Sequence, residues 1–301
     1  MNRAWWWGLA GTVGFSLTLP ATQIGDPFLG PDVMGMGRAA VAAIGAAAWL
    51  WLGRRPFPRR HALALMVVGL GVVIGFPWLS AAALTRLPAA NGAVVVAILP
   101  LATAWVGARR AREVMPARFW AAAAAASAVV LGYALATGGR AAWPDLALVG
   151  AVMAAAVGYA EGGRLARQMP AADVICWALV LVSPATVWVA ATHLPHPWSL
   201  VPARAWVALT YVALVSQLLA FFAWYRGLAL GGVARISQVQ YLQLFCTLGW
   251  ASWLLGEPLT WQDAVAAVLV VGSVAIGQRT NLSGRIGGTG AGAIRERPPE
   301  I

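Results

Sequence analysis

Apolar residues in this chain do not alternate with polar ones. They run in long blocks, separated by short breaks rich in Pro, Gly and Arg such as GRRPFPRRH and GARRARE. An α-helix rises about 1.5 Å per residue, so about 20 apolar residues cross the roughly 30 Å of a bilayer's hydrocarbon. Blocks near 5–25, 32–52, 62–84, 89–108, 117–137, 146–166, 173–192, 204–226, 233–255 and 262–278 predict an all-α integral membrane protein with ten transmembrane helices. The polar, Gly/Pro-rich stretch 279–301 is expected to be a disordered tail.

Composition agrees with that pattern. Charged residues make up 10% of the chain, against about 25% in soluble domains, too few to cover a water-facing surface. The 33 glycines and 18 prolines suit helices that pack closely in lipid.

The net charge of +11 comes from arginine alone, 21 residues without a lysine. A basic excess also marks nucleic-acid binders, but here the arginines collect in the breaks between apolar blocks. With the amino terminus cytoplasmic, inner segments hold Arg3, Arg54, Arg55, Arg59, Arg60, Arg109, Arg110, Arg112, Arg118, Arg164, Arg167, Arg226, Arg235, Arg279, Arg285, Arg295 and Arg297. Outer loops hold only Arg86, Arg140 and Arg204, and Arg38 lies inside the second span. The positive-inside rule then places both termini in the cytoplasm of a multi-pass plasma (inner) membrane protein. The start, MNRAWWWGLAGTVGFSLTLPATQ, has the look of a signal peptide, but the internal repeat of the chain requires it as a retained span.

The two halves resemble each other. WVGARRAREVMPARFW (105–120) closes one apolar block and opens the next, and WLLGEPLTWQDA (253–264) does the same further on. Upstream of these, AALTRLPAANGAV and GLALGGVARISQV share a pattern. Each half has an odd number of spans, so the second is inverted relative to the first. The charges agree: the basic loop after span four has a counterpart after span nine that lacks arginine. This gives a first five-helix repeat over 1–140 and an inverted second one over 141–278. Antiparallel repeats with a site between them near the midplane are a transporter architecture.

The most specific stretch is YRGLALGGVARISQVQYLQLF (225–245) followed by LLGEPLT (254–260). With Leu29-Gly30-Pro31, Arg38, Tyr159-Ala160 and Arg164, it resembles the drug/metabolite transporter superfamily, in particular its ten-span EamA-type members. That resemblance covers roughly 5–278 and implies export of amino acids and related metabolites, with the aromatic amino acid exporters as the preferred subgroup. Phe15-Ser16 stands where the family often has Trp-Gly or Trp-Ser, and Arg112-Glu113 stands for the first-half Gly-Glu turn.

Polar and aromatic residues inside spans are candidates for a substrate path, because they are costly in lipid. Helical spacing groups Gly8, Gly11, Phe15, Thr18 and Thr22 in span one, and Gly71, Gly75, Trp78 and Ala82 in span three. Thr210, Gln217, Phe221 and Trp224 align in span eight. Span nine carries Gln238, Tyr241 and Phe245 on one face and Gln240, Gln243 and Thr247 on the other. The expected cavity residues are Phe15, Thr18, Trp78, Ala82, Gln217, Phe221, Trp224, Gln238 and Tyr241; for the glycines, helix contact is the plainer account.

Arg38 and Glu161 are the candidate coupling or structural charges. Arg38 meets a substrate carboxylate, bonds backbone carbonyls or snorkels to the interface; Glu161 pairs with Arg164 at a helix end or carries a proton. Glu257 is expected to cap the start of span ten. No carboxylate falls near the midplane of the predicted spans, which favours facilitated export. An intramembrane enzyme lacks support: HExxH, GxSxG and an intramembrane aspartate pair are missing, and His61, His193 and His196 fall at span ends or in loops. Cys176 and Cys246 lack metal-ligand spacing, so neither metal, cofactor nor disulfide is expected. The expected partners are a small-molecule substrate and the bilayer, with no nucleic acid and a monomer as the working unit.

Overall fold

The computed structural model describes residues 3–110, 143–269 and 271–272, with positions 117, 121, 124, 125, 128, 129 and 132 between them. Every element among these residues is helical. The predicted fifth span, the end of the tenth and the 279–301 tail lie mostly or wholly outside the described residues.

The helices are α1 (Arg3–Ser16), α2 (Thr18–Asp32), α3 (Arg38–Leu52), α4 (Ala62–Val68), α5 (Phe76–Leu84), α6 (Ala89–Val96) and α7 (Leu99–Arg110). They continue with α8 (Trp143–Leu165), α9 (Ala171–His193), α10 (Ala203–Thr210), α11 (Ala220–Gly231), α12 (Val233–Ile236) and α13 (Tyr241–Leu255). Six helical stretches are long and apolar enough to cross a membrane: Arg3–Leu52, Arg59–Leu84, Ala89–Arg109, Trp143–Leu165, Ala171–His193 and Ala203–Gly231. The first, 50 residues long, is interrupted at Gly30, whose φ of 75° and ψ of 159° no helix contains. Glycine takes that conformation without steric cost, and the next residue, Pro31, starts a new helical run. The outward side chains are apolar, as lipid requires: Leu63 is 81% and Trp51 79% exposed.

Helix backbones come close at glycines. α1 runs along α11, α3 along α9, and α5 and α7 along α8. A β-carbon on Gly227 would stand 2.8 Å from the Gly8 backbone nitrogen, and one on Gly71 would stand 2.5 Å from the Ala154 carbonyl oxygen. These glycines therefore serve backbone-to-backbone helix contact.

Glu257 departs from expectation. Its two carboxylate oxygens accept hydrogen bonds from the backbone N–H groups of Ala89 and Ala90, each at 3.0 Å, so it caps α6 rather than the tenth span. Free N–H groups at a helix start attract a carboxylate, and the Gly256 turn at φ 67° brings this one across. The tenth span has its own capping box: Asp263 Oδ2 accepts from the Thr260 N–H, and Thr260 Oγ1 accepts from the Asp263 N–H.

Candidate functional site

Several spans leave α-helical geometry at the same place. Val33–Gly37, Gly69–Gly75 and Tyr211–Leu219 are π-helical. A π-turn accommodates an extra residue, loosens the regular hydrogen-bond ladder and recurs at functional sites. Arg38 directly follows the first of these segments, Val72 lies in the second and Gln217 in the third. The three meet. Arg38 Nε and Nη2 donate to Gln217 Oε1 at 3.0 and 2.7 Å, and Gln217 Nε2 donates to the Val72 carbonyl at 3.0 Å.

This node is deep inside the protein, with Gln217 fully buried and Arg38 2% exposed. Among the described residues the ion pairs form elsewhere: Arg55 with Asp173, Arg164 with Glu161 and His193 with Asp32. Arg38 is thus a buried cation without a carboxylate partner there. Two of its five N–H donors are used by Gln217.

Beside it is a void of about 20 Å³, lined on one side by Phe15, Tyr159 and Phe221 and on another by Thr18, Ser216 and Gln243. A neighbouring void of about 10 Å³ is bordered by Gln240, Gln243 and Thr247. Such volumes hold about one water each, whereas small-molecule sites enclose roughly 300–1,000 Å³. The conformation is therefore closed on its centre. The wall is aromatic: ring centroids lie 4.9 Å apart for Phe15–Phe221 and 6.2 Å for Phe15–Tyr159, and Trp224, outside both voids, backs Tyr159 at 5.5 Å. The buried indole N–H of Trp224 has no acceptor among the described residues. Thr18 and Ser216 hydroxyls share a 2.7 Å hydrogen bond.

The structure brings together Phe15, Thr18, Gln217, Phe221, Trp224 and Arg38 from the expected set. It leaves others aside. Trp78 is 42% exposed and donates its indole N–H to Asp32 at 2.7 Å, and Ala82 accepts from the Thr85 hydroxyl. In span three the cavity is met by Val72 and Phe76 instead. Tyr241 is buried outside both voids, and the Gln238 side chain lies outside the described residues. Glu161 is 2% exposed and accepts from Arg164 Nη2 at 2.6 Å. Tyr159, Ser216 and Gln243 line the cavity without having been singled out for it; a hydroxyl or amide in an apolar span was the available signal.

Comparison with known proteins settles the kind of protein this is. The sequence profile of the EamA-like transporter family matches residues 142–276. The uncharacterized transporter YdeK of Bacillus subtilis (strain 168) is 38% identical over 280 residues, covering 92% of this chain and 98% of its own. The chain belongs to the EamA-like transporter family. It is an EamA-type member of the drug/metabolite transporters, hence a multi-pass membrane transporter and not an enzyme. A protein known from its crystal structure superposes with a TM-score of 0.66, over 93% of this EamA-type chain and 98% of its own, at 19% identity. That likeness concerns the fold.

Proposed function

We propose that this transporter exports carboxylate-bearing metabolites with an apolar body, foremost amino acids with aromatic or other hydrophobic side chains. The observation that carries this is Arg38: a buried guanidinium with spare donors and no carboxylate partner among the described residues, beside an aromatic wall. An α-carboxylate supplies the missing anion through a bidentate contact. An aromatic side chain would stack on Phe15, Tyr159 and Phe221. The small volume of the void means that the helices must part to admit such a molecule, which supports alternating access. Export as the direction follows from the EamA-type likeness.

The same reading uses ten spans as two inverted repeats, with both termini cytoplasmic in the plasma membrane. Contacts between loops and helix ends support this topology. Arg55 meets Asp173, Arg167 approaches Gly232 and Arg226 stacks on Trp7, all at the arginine-rich end. Asp32 meets Trp78 and His193, Arg204 stacks on Phe28, and Glu257 holds α6, all at the other. The π-helical segments Gly69–Gly75 and Tyr211–Leu219 fall at matching places in spans three and eight. The family profile also begins at residue 142, where the second repeat starts. Because one chain lines the whole cavity, a monomer suffices as the working unit.

The test is counterflow in proteoliposomes preloaded with unlabelled amino acids. Labelled phenylalanine, tyrosine, tryptophan or leucine is expected to accumulate above empty vesicles. A panel in which no amino acid exceeds empty vesicles overturns the substrate class.

A further inference from the structure

A second buried charged residue lies on α2. Asp26 is 8% exposed, and neither of its carboxylate oxygens has a hydrogen-bond partner among the described residues. It sits four residues before the Gly30 turn, about 6 Å along the helix, hence in the outer half under the proposed topology. α2 there contributes Ala21 and Leu29, on either side of Asp26 in sequence, to an apolar cluster separate from the main core. Val33, Ala81, Ala208 and Val212 are among its members from the neighbouring helices.

Among the described residues, the elements packed on α2 offer Asp26 no counter-charge. Arg204 is stacked on Phe28, His193 is at 3.7 Å from Asp32, Arg38 holds Gln217 and the Tyr211 hydroxyl donates to the Gly14 carbonyl. Asp173 is taken by Trp49 and Arg55, and none of Arg3, Arg86, Tyr241, Cys176 or Cys246 reaches either Asp26 oxygen. An ionised carboxylate buried without a cation or donor is costly, and a neutral one is far less so. The same group becomes stable as an anion once the surrounding helices separate and water enters.

We propose that Asp26 is a proton-binding site of the outer half, occupied while that half is closed and emptied to external water when it opens. On opening, the carboxyl O–H bond breaks, its electron pair stays on the carboxylate oxygen, and the proton leaves on water; closing reverses the step. Each opening of that side is thereby linked to one protonation change. This goes beyond the substrate reading and rests only on its topology.

The test needs no substrate. Spin labels on Thr85→Cys and Leu200→Cys, in a chain with Cys176→Ala and Cys246→Ala, report the separation of the outer ends of α5 and α10 in proteoliposomes. The longer-distance population is expected to grow from mildly acidic to alkaline pH, by at most about tenfold per pH unit for one linked proton. Asp26→Asn, a neutral isostere, is expected to hold the short distance throughout, and Asp26→Glu to restore the pH response. Infrared difference spectra of the unlabelled protein should show a protonated-carboxyl C=O band in acid that Asp26→Asn removes. Distances that ignore pH, a pH response unchanged in Asp26→Asn, or an infrared band that survives it would overturn the proposal. A null result here leaves amino acid counterflow untouched, and a null counterflow panel leaves the spin-label result standing.

Discussion

Arg38 and Asp26 stand on either side of the Gly30 turn, are both buried, and are treated in opposite ways. Around Arg38 the helices deform: π-helical segments place the Gln217 amide and the Val72 carbonyl so that the guanidinium is held at 2.7 and 3.0 Å. Around Asp26 the helix carries Pro27 and breaks at Gly30, yet neither carboxylate oxygen gains a partner among the described residues. A charge that must persist is given donors and acceptors at the expense of regular helix. One that changes state with conformation needs none in its neutral form. On the proposed function, Arg38 is a fixed site for an anion and Asp26 a group whose ionisation tracks opening.

The largest expected effect comes from Gln217. Gln217→Ala strips Arg38 of its partner inside the bundle; charge-assisted hydrogen bonds contribute about 1.5–3 kcal/mol, so a loss of about 3 kcal/mol is expected in equilibrium unfolding in detergent. Gln217→Glu sharpens the comparison. Its carboxylate neutralises Arg38, so the protein should stay folded while counterflow falls at least about tenfold, the equivalent of about 1.4 kcal/mol of lost transition-state binding. Unimpaired transport in Gln217→Glu would contradict a substrate-carboxylate role for Arg38.

Gly71→Val comes next. The new side chain meets the Ala154 carbonyl, and overpacking of this kind costs about 1–3 kcal/mol, read as a lowered unfolding midpoint. Glu257→Gln weakens the cap on α6 and removes its negative charge; caps are worth about 0.5–2 kcal/mol, and the loss should be visible in the same assay. Asp26→Asn should have the smallest effect on stability at acidic pH, because amide replaces neutral acid. A large loss there would mean that Asp26 holds the fold through its charge.

Much of the fold was legible because lipid imposes long apolar blocks, and Gly30-Pro31 marked the turn inside the longest helical stretch. The site was legible where helical spacing holds. In α1 and α2 the sequence pattern named Phe15 and Thr18, and in the second half it named Gln217 and Phe221. It failed across irregular turns. The π-helical segment at Gly69–Gly75 inserts a residue, which rotates the rest of the span by roughly 100°. Gly71 and Gly75 therefore face α8, Trp78 leaves the cavity, and Val72 and Phe76 take its place. In span nine the spacing grouped the faces as observed, but the face that meets the voids is the one with Gln240, Gln243 and Thr247, while Phe245 is 46% exposed. Asp26 fell just past the end of the predicted first span, so its burial was hidden. Glu257 was assigned to the helix next in sequence, when its partner is a helix start brought near only by folding.

The most direct test of the central claim is competition for counterflow of labelled phenylalanine by unlabelled phenylalanine and by its decarboxylated amine. The amino acid is expected to compete and the amine not, and Arg38→Gln is expected to lose the distinction along with most transport. Equal competition by the amine, or transport by Arg38→Gln with intact preference for the carboxylate, would contradict the claim.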